Sequence, residues 1–251
     1  MVNYVKAEYL KYKRTSIKKL LFLLPILVML IVYLMHSFMP KGYMEITNFI
    51  IITGFNWWTV LFIPIGTAAL TGLVSIMEKK AGKYKVFVSR NLSLQGIWIS
   101  KVIVICIFML YSVVLLAFLI ILFELLLGGQ IKLKEILSSV FVIWVGSINL
   151  VPIYLFLSTF GGLILSLIIG VIGFFIGAVM AVESYWMFVP WSLSLRMLSP
   201  ILKVHPNGIP LKPDDFLLDL SVIKIGLFFS IMYFVAFTFI TSLWFKKEVI
   251  K

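Results

Sequence analysis

The chain has little charge, one cysteine and only two histidines among its 251 residues. Charged residues make up 13% of the sequence and hydrophobic residues 62%, whereas soluble domains average about 25% charged residues. This composition excludes an ordinary soluble domain and an intrinsically disordered chain. The single cysteine, Cys106, excludes an intrachain disulfide and a cysteine-based metal cluster.

The sequence also lacks the motifs of several enzyme and transporter classes. It contains no HExxH zinc motif and no GxxxxGK[ST] phosphate loop, which excludes a zinc protease of that type and nucleotide binding in the usual cradle. The long apolar runs carry no ionisable residue at their centres, and Glu124 and His36 lie only near run ends. Proton-coupled carriage and voltage sensing therefore lack their usual parts. Any uphill transport must draw its energy from another polypeptide.

Long uncharged runs predict an all-α integral membrane protein with six transmembrane helices. A helix of about 20 residues crosses a hydrocarbon core of about 30 Å. The run 136–182 has 47 residues, which is too long for one crossing, and residues 158–162 (Ser-Thr-Phe-Gly-Gly) supply a turn at which it folds back. The predicted spans are residues 20–39, 47–77, 102–123, 137–158, 162–182 and 225–245.

The distribution of basic residues predicts that both termini are cytoplasmic. Of the 22 Lys and Arg residues, 15 lie before the first span, after the second span or at the C-terminus. Basic residues concentrate on the cytoplasmic side of membrane proteins. The first span is expected to be an uncleaved anchor, because its apolar run is longer than that of a signal peptide.

The chain is predicted to form one transmembrane domain over residues 1–251, with two cytoplasmic segments beside the spans. Residues 1–19 predict a basic amphipathic helix at the inner leaflet, with a charged flank that only sets topology as the alternative. Residues 78–101 mix bases with apolar side chains. This mixture favours a helix that docks into a groove on a cytoplasmic partner, and the alternative is a helix lying on the membrane surface.

The third segment, residues 183–224, is a long extracellular loop that begins with an aromatic run. Tyr185, Trp186 and Trp191 are expected to pack at the outer membrane interface as part of a re-entrant segment, and to serve the substrate there. In the preceding span, small residues recur every three or four positions and predict close helix packing. These residues are Gly170, Gly173 and Gly177.

Three short motifs resemble a known transporter family. They are Lys-Ala-Glu-Tyr-Leu-Lys-Tyr-Lys-Arg-Thr at 6–15, Glu-Lys-Lys-Ala-Gly-Lys at 78–83 and Trp-Ile-Ser-Lys at 98–101. They resemble the permease subunits of lantibiotic-immunity ABC transporters, the MutE/EpiE group of the ABC-2 superfamily. The resemblance implies a multi-pass permease in the plasma membrane of a Gram-positive bacterium, which expels a lantibiotic for self-immunity and is not itself an enzyme.

The resemblance also implies the partners. ATP and Mg²⁺ are expected on two copies of a separate ATPase, with no cofactor on this chain, and a second permease subunit completes the complex. The residues expected to contact the ATPase are Phe87, Leu92 and Leu94 as apolar anchors. Glu78, Lys83 and Arg90 are expected as polar partners, at the rim of that interface or against neighbouring inner helices. The alternatives are an ABC-2 permease for another peptide antibiotic or a lipid, a membrane-embedded enzyme, and a receptor or assembly protein without an ATPase.

Overall fold

A computed structural model describes residues 1–13, 15–38, 48–82 and 92–250. Regular structure in these ranges is helical, apart from one isolated bridge between Val204 and Pro210. The α-helices are α1 (Val2–Lys11), α2 (Ser16–Phe38), α3 (Phe49–Trp57), α4 (Ile63–Lys80), α5 (Leu94–Leu126), α6 (Leu133–Ser147), α7 (Leu150–Met180), α8 (Leu193–Leu202) and α9 (Ser221–Ile250).

Five helical stretches of the described ranges are long and apolar enough to cross a bilayer. They are Ser16–Phe38, Phe49–Lys80, Leu94–Leu126, Leu150–Met180 and Ser221–Val249. This confirms the prediction of an all-α integral membrane protein. The sequence predicted six spans, one more than these five stretches. The difference arises between residues 133 and 180. There α6 has only 15 residues, about 22 Å, and α7 has 31.

A break at Gly162 divides α7 into two halves. Its backbone angles are φ 84° and ψ −176°, a conformation that glycine adopts far more readily than other residues. Tyr154 before the break and Gly173 after it both contact Trp191. In a straight helix these two positions would be about 28 Å apart, so the two halves must fold back beside each other. The break lies within the predicted turn at residues 158–162.

A continuous helix from Phe49 to Lys80 packs along both halves of α7. Its turn at Trp58–Phe62 is a wider π-helical turn, next to Pro64, which has no N–H to donate to the preceding turn. Three hydroxyl hydrogen bonds cross the interface: Ser75 Oγ to the Ser158 carbonyl (2.7 Å), Ser158 Oγ to the Thr71 carbonyl (3.1 Å) and Ser166 Oγ to the Ala68 carbonyl (3.1 Å). Such bonds join apolar helices that gain little from the hydrophobic effect inside a bilayer.

The central helix of the bundle is α5, and α9 is the least enclosed. In the most apolar stretch of each helix, 56% of the α5 residues are buried, compared with 11% in α9. The exposed side chains of α9 are large and apolar, including Phe228, Val235 and Phe239. Such a surface suits contact with lipid or with another apolar helix.

The first helix, α1, packs along the beginning of α5. The Tyr4 hydroxyl accepts a hydrogen bond from the Ser93 N–H, and the rings of Tyr9 and Tyr12 pack against Phe108. Residues 1–19, which were predicted to hold a basic amphipathic helix, include α1 and the first turn of α2. Their placement on the inner leaflet stays a prediction.

The chain returns into the bundle after α7. Trp191 lies against Gly173 and Gly177, one to two turns before the end of α7 at Met180. The following helix, α8, packs on α6, where a side chain at Gly146 would collide with Ser194. Nearly every residue of α8 is buried. The segment after α7 is thus enclosed by the helices.

Candidate functional site

The basic end of the bundle carries α1, the last turn of α4 with Lys79 and Lys80, and the last turn of α9 with Lys247. Five polar side chains of the described residues meet there, and we call them the buried charge cluster. They are Glu8 and Lys11 from α1, Tyr12 directly after α1, Glu78 from the end of α4 and Lys101 from the second turn of α5.

Lys101 bridges the two carboxylates of the buried charge cluster. Its Nζ donates to Glu8 Oε1 at 2.8 Å and makes a still closer contact with Glu78 Oε1. Lys11 Nζ contacts the same two carboxylates, at 2.9 Å and 3.0 Å. The Tyr12 hydroxyl donates to Glu8 Oε1. Among the described residues, two positive and two negative charges therefore meet within one hydrogen-bonded group.

The buried charge cluster is deeply enclosed. The side chains of Lys101, Glu8 and Glu78 are 1%, 2% and 4% exposed, while Lys11 is 32% exposed. Removing ions from water is costly, and only close pairing with good hydrogen bonds offsets this cost. The pairing of α1 with α4 and α5 is therefore specific, because any other docking of α1 would leave Glu78 and Lys101 without Glu8.

Glu8 is ionised at neutral pH. Burial by itself raises the pKa of its carboxyl, but the charges of Lys101 and Lys11, with hydrogen bonds from Lys101 and Tyr12, outweigh burial and leave the pKa below its ordinary value. A pKa that is lowered on folding stabilises the protein above the ordinary pKa of glutamate. This contribution is lost as the pH falls through the lowered value.

The buried charge cluster lies where the segment between α4 and α5 leaves one helix and enters the other. Of the predicted loop at residues 78–101, only residues 81–93 lie between the helices, because α4 continues to Lys80 and α5 begins at Leu94. Glu78 and Lys101 are thus helical residues on either side of that segment. Their contact holds the ends of α4 and α5 together, and Glu8 adds α1 to the same contact.

The structure describes three of the six residues that were expected to contact an ATPase, and these three differ in their surroundings. Glu78 lies in the buried charge cluster, where its carboxylate already has two lysine partners. Leu92 is 38% exposed, whereas Leu94 is 8% exposed and belongs to the apolar core of this chain. Leu94 is therefore covered by the chain itself. Lys83, Phe87 and Arg90 lie outside the described residues.

We call residues 181–220, which lie between α7 and α9 and were predicted to be largely extracellular, the outer segment. The three aromatic residues predicted as its site, Tyr185, Trp186 and Trp191, occupy different environments. Tyr185 is 48% exposed. Trp186 is buried, and the guanidinium of Arg196 lies 6.0 Å from its ring centroid. The indole of Trp191 donates a hydrogen bond to the Tyr154 hydroxyl at 2.8 Å. Of the three, only Tyr185 presents much of its surface outside the bundle.

The small residues of α7 face two different neighbours. A Cβ at Gly170 would lie 3.0 Å from Ala68 Cβ and 3.2 Å from the Pro64 carbonyl oxygen, so this glycine permits close approach of α4. At Gly173 a Cβ would lie 2.3 Å from Trp191 Nε1, and at Gly177 2.8 Å from the Trp191 carbonyl oxygen. These two glycines therefore accommodate the returning outer segment.

Sequence reasoning missed Glu8, Lys11, Tyr12 and Lys101 as members of one site. A signal was present, because Glu8 is the only acid among the first 40 residues, within a strongly basic segment. Its partner Lys101 lies 93 positions later in the chain. Spacing along one helix cannot reveal a pair at that separation.

The described residues contain no group of three or more His, Cys, Asp or Glu side chains that could hold a metal ion.

The model of a protein family described as "ABC-2 family transporter protein" matches residues 4–177 of this chain. This range contains every member of the buried charge cluster and ends before the outer segment. No curated protein and no solved structure matches the chain.

Proposed function

This chain belongs to the ABC-2 family of transporter proteins, and from that premise we propose that it is the permease of an ABC exporter that carries a lantibiotic from the membrane to the cell exterior. Family membership makes it a multi-pass membrane subunit of a transporter. The lantibiotic substrate, the self-immunity role and the Gram-positive source belong to the proposal. They are supported by the resemblance of residues 6–15, 78–83 and 98–101 to lantibiotic-immunity permeases.

The observation that carries the proposal is the buried charge cluster. An ATP-driven permease without its own nucleotide site must receive movement through its cytoplasmic surface. The cluster joins α1, α4 and α5 at the base of residues 81–93, so a push on that segment reaches three helices together. Two of these, α4 and α5, belong to stretches long enough to cross the membrane. We propose that the ATPase contacts this segment, with Leu92 and Phe87 as apolar anchors.

The outer surface suits an amphipathic peptide. Tyr185, Phe188 and Phe216 are 48%, 63% and 67% exposed, and they come from the two ends of the segment between α7 and α9. Aromatic side chains of this kind favour the membrane–water boundary, which is where an amphipathic peptide lies. We propose that a peptide released from the bundle passes this surface on its way out.

Protection in a sensitive host tests the proposal. Cells that produce this chain with its ATPase and second permease are expected to tolerate a higher concentration of a lantibiotic than cells without them. The measurement is the growth-inhibitory concentration of a lantibiotic, with a bacitracin-like peptide and a lipid-export assay alongside. Protection only against the second peptide, or lipid export alone, would replace the lantibiotic with that substrate.

A pair of variants distinguishes lost coupling from lost folding. Truncating buried interface anchors typically costs about 1–3 kcal/mol each. We therefore expect Phe87→Ala/Leu92→Ala to insert normally, to lose the ATPase on purification and to lose protection. Lys83→Ala is expected to have a milder effect. Leu94→Ala is expected to lower stability instead, because Leu94 packs inside the chain. Retention of the ATPase and of full protection by the double variant would contradict coupling through residues 81–93.

The proposed topology has six crossings, with α6 and the first half of α7 forming the fourth and the second half of α7 the fifth. In a background without Cys106, single substitutions Asn207→Cys, Lys80→Cys and Lys247→Cys are treated with an impermeant thiol reagent in intact cells. All three positions are exposed. Only Asn207→Cys is expected to react from outside, and permeabilised cells provide the control. If one of the crossings between Lys80 and Asn207 were absent, Asn207 would be cytoplasmic and Lys247 would react from outside.

A further inference from the structure

A second feature near the basic end is a groove between α1, α2 and α5, which we call the inner groove. Its volume is about 220 Å³, several times the roughly 30 Å³ that one water occupies in the liquid. Its lining is mixed in character. The polar lining residues are Tyr9, Lys18 and Tyr111, and the apolar ones, which we call its floor, include Phe22, Phe108 and Leu115.

The length of α2 indicates how deep the inner groove would lie in a bilayer. The Ser112 hydroxyl donates to the Leu21 carbonyl at 3.0 Å, which sets α5 and α2 side by side at this level. From Lys18 to Phe38, the end of α2, the helix rises about 30 Å, or one hydrocarbon thickness. If Phe38 lies at the outer boundary of the hydrocarbon, Lys18 lies at the inner one. The groove extends from Lys18 towards Leu115, which is deeper in the membrane.

Lys18 has no carboxylate partner in the described part of the chain. Its Nζ lies 5.3 Å from the centroid of the Tyr9 ring, and the residue is only partly exposed. Of the acids described at the basic end, Glu8 and Glu78 are already paired with Lys101 and Lys11. Glu248 is in the exposed last turn of α9. Lys18 therefore has no carboxylate counter-ion among these residues and can pair with an anion from outside them.

We propose that the inner groove binds one anionic phospholipid of the inner leaflet. Its phosphate pairs with Lys18, its glycerol region lies beside the Tyr9 and Tyr111 side chains, and an acyl chain follows the apolar floor formed by Phe22, Phe108 and Leu115. A lysine near an anionic membrane surface contributes about 1 kcal/mol to lipid attraction. The bound lipid would hold α1 and α2 against α5, next to the buried charge cluster.

The test measures phospholipid binding to the full-length chain in detergent by native mass spectrometry. The probes are phosphatidylglycerol, phosphatidylcholine and inorganic phosphate. We expect retention of one phosphatidylglycerol in preference to phosphatidylcholine, with a dissociation constant about fivefold higher for Lys18→Gln. Lys18→Arg is expected to keep the wild-type affinity. Lys19→Gln removes the same charge from an exposed neighbour and is expected to change nothing.

Leu115→Trp provides a second variant that leaves every charge in place. It fills the apolar floor and is expected to prevent lipid retention even if Lys18→Gln proves unstable. Equal losses in Lys18→Gln and Lys19→Gln would mean that diffuse surface charge attracts the lipid, and would overturn the proposal. Equal retention of phosphatidylcholine, or displacement of the lipid by inorganic phosphate at the same concentration, would overturn it as well.

Discussion

Replacing Lys101 with methionine is expected to lower the free energy of unfolding by about 3–5 kcal/mol, the usual cost of removing one partner from a buried ion pair. Among the described residues, the change leaves the buried carboxylates of Glu8 and Glu78 with the partly exposed Lys11 as their remaining cation, and the Tyr12 hydroxyl still donates to Glu8. Cys106, the single cysteine, is buried five positions further along α5. The measurement is the temperature at which a thiol-reactive dye labels Cys106, which should fall markedly.

Two further variants serve as controls for this prediction. Lys80→Met removes the same charge from an exposed position at the end of α4 and is expected to leave the labelling temperature almost unchanged. Adding Glu8→Gln and Glu78→Gln to Lys101→Met removes the unpaired carboxylates, and is expected to restore much of the stability, because an uncharged replacement of a buried ion pair is often tolerated. A Lys101→Met protein as stable as Lys80→Met would show that the cluster does not hold α1 in place.

Replacing Gly173 with alanine is expected to cost about 1–3 kcal/mol of stability, the usual range for overpacking a filled interior. The new Cβ would lie 2.3 Å from Nε1 and 2.4 Å from Cδ1 of Trp191. The indole is held by its hydrogen bond to the Tyr154 hydroxyl at 2.8 Å. The ring must move and lose that bond, so the outer segment should detach from α7. The same Cys106 labelling assay reports the loss.

Gly66→Ala serves as the control for helix substitution by alanine, because its nearest neighbour is the flexible tip of Leu24 at 3.2 Å. It is expected to have a much smaller effect. In a Trp191→Ala background the obstacle is gone, so adding Gly173→Ala should cost little more. If Gly173→Ala is equally destabilising with and without Trp191, the contact between the outer segment and α7 does not explain the loss.

Several features of the fold were predictable because they follow from local composition. The uncharged run 136–182 is too long for one crossing, and its glycines indicated where it breaks. Gly162 lies at that break. The regular spacing of Gly170, Gly173 and Gly177 likewise predicted close packing at one face of a helix. Which neighbour each glycine admits was not predictable, because α4 and Trp191 reach α7 from distant parts of the chain.

The candidate site was predictable only in part. Glu78 was expected either at the rim of an interface with a partner or against neighbouring inner helices. In the folded chain it lies 4% exposed between Lys101 and Lys11. Leu94 was selected for its apolar character, which suits a partner's groove and a chain's own core equally well. Only its position in the first turn of α5 places it in the core.

By itself, the sequence determined that this protein belongs in a lipid bilayer. A backbone in lipid must satisfy its own hydrogen bonds in helices or in a closed barrel, and the continuous, non-alternating apolar runs favour helices. The tertiary structure alone decided that Glu8, Glu78 and Lys101 form one site and that Lys18 is left beside a groove. The sequence alone does not distinguish one lysine from another, because they come to differ only when folding removes some of them from water. Burial then makes pairing obligatory for Lys101, while Lys18 remains available for an outside partner.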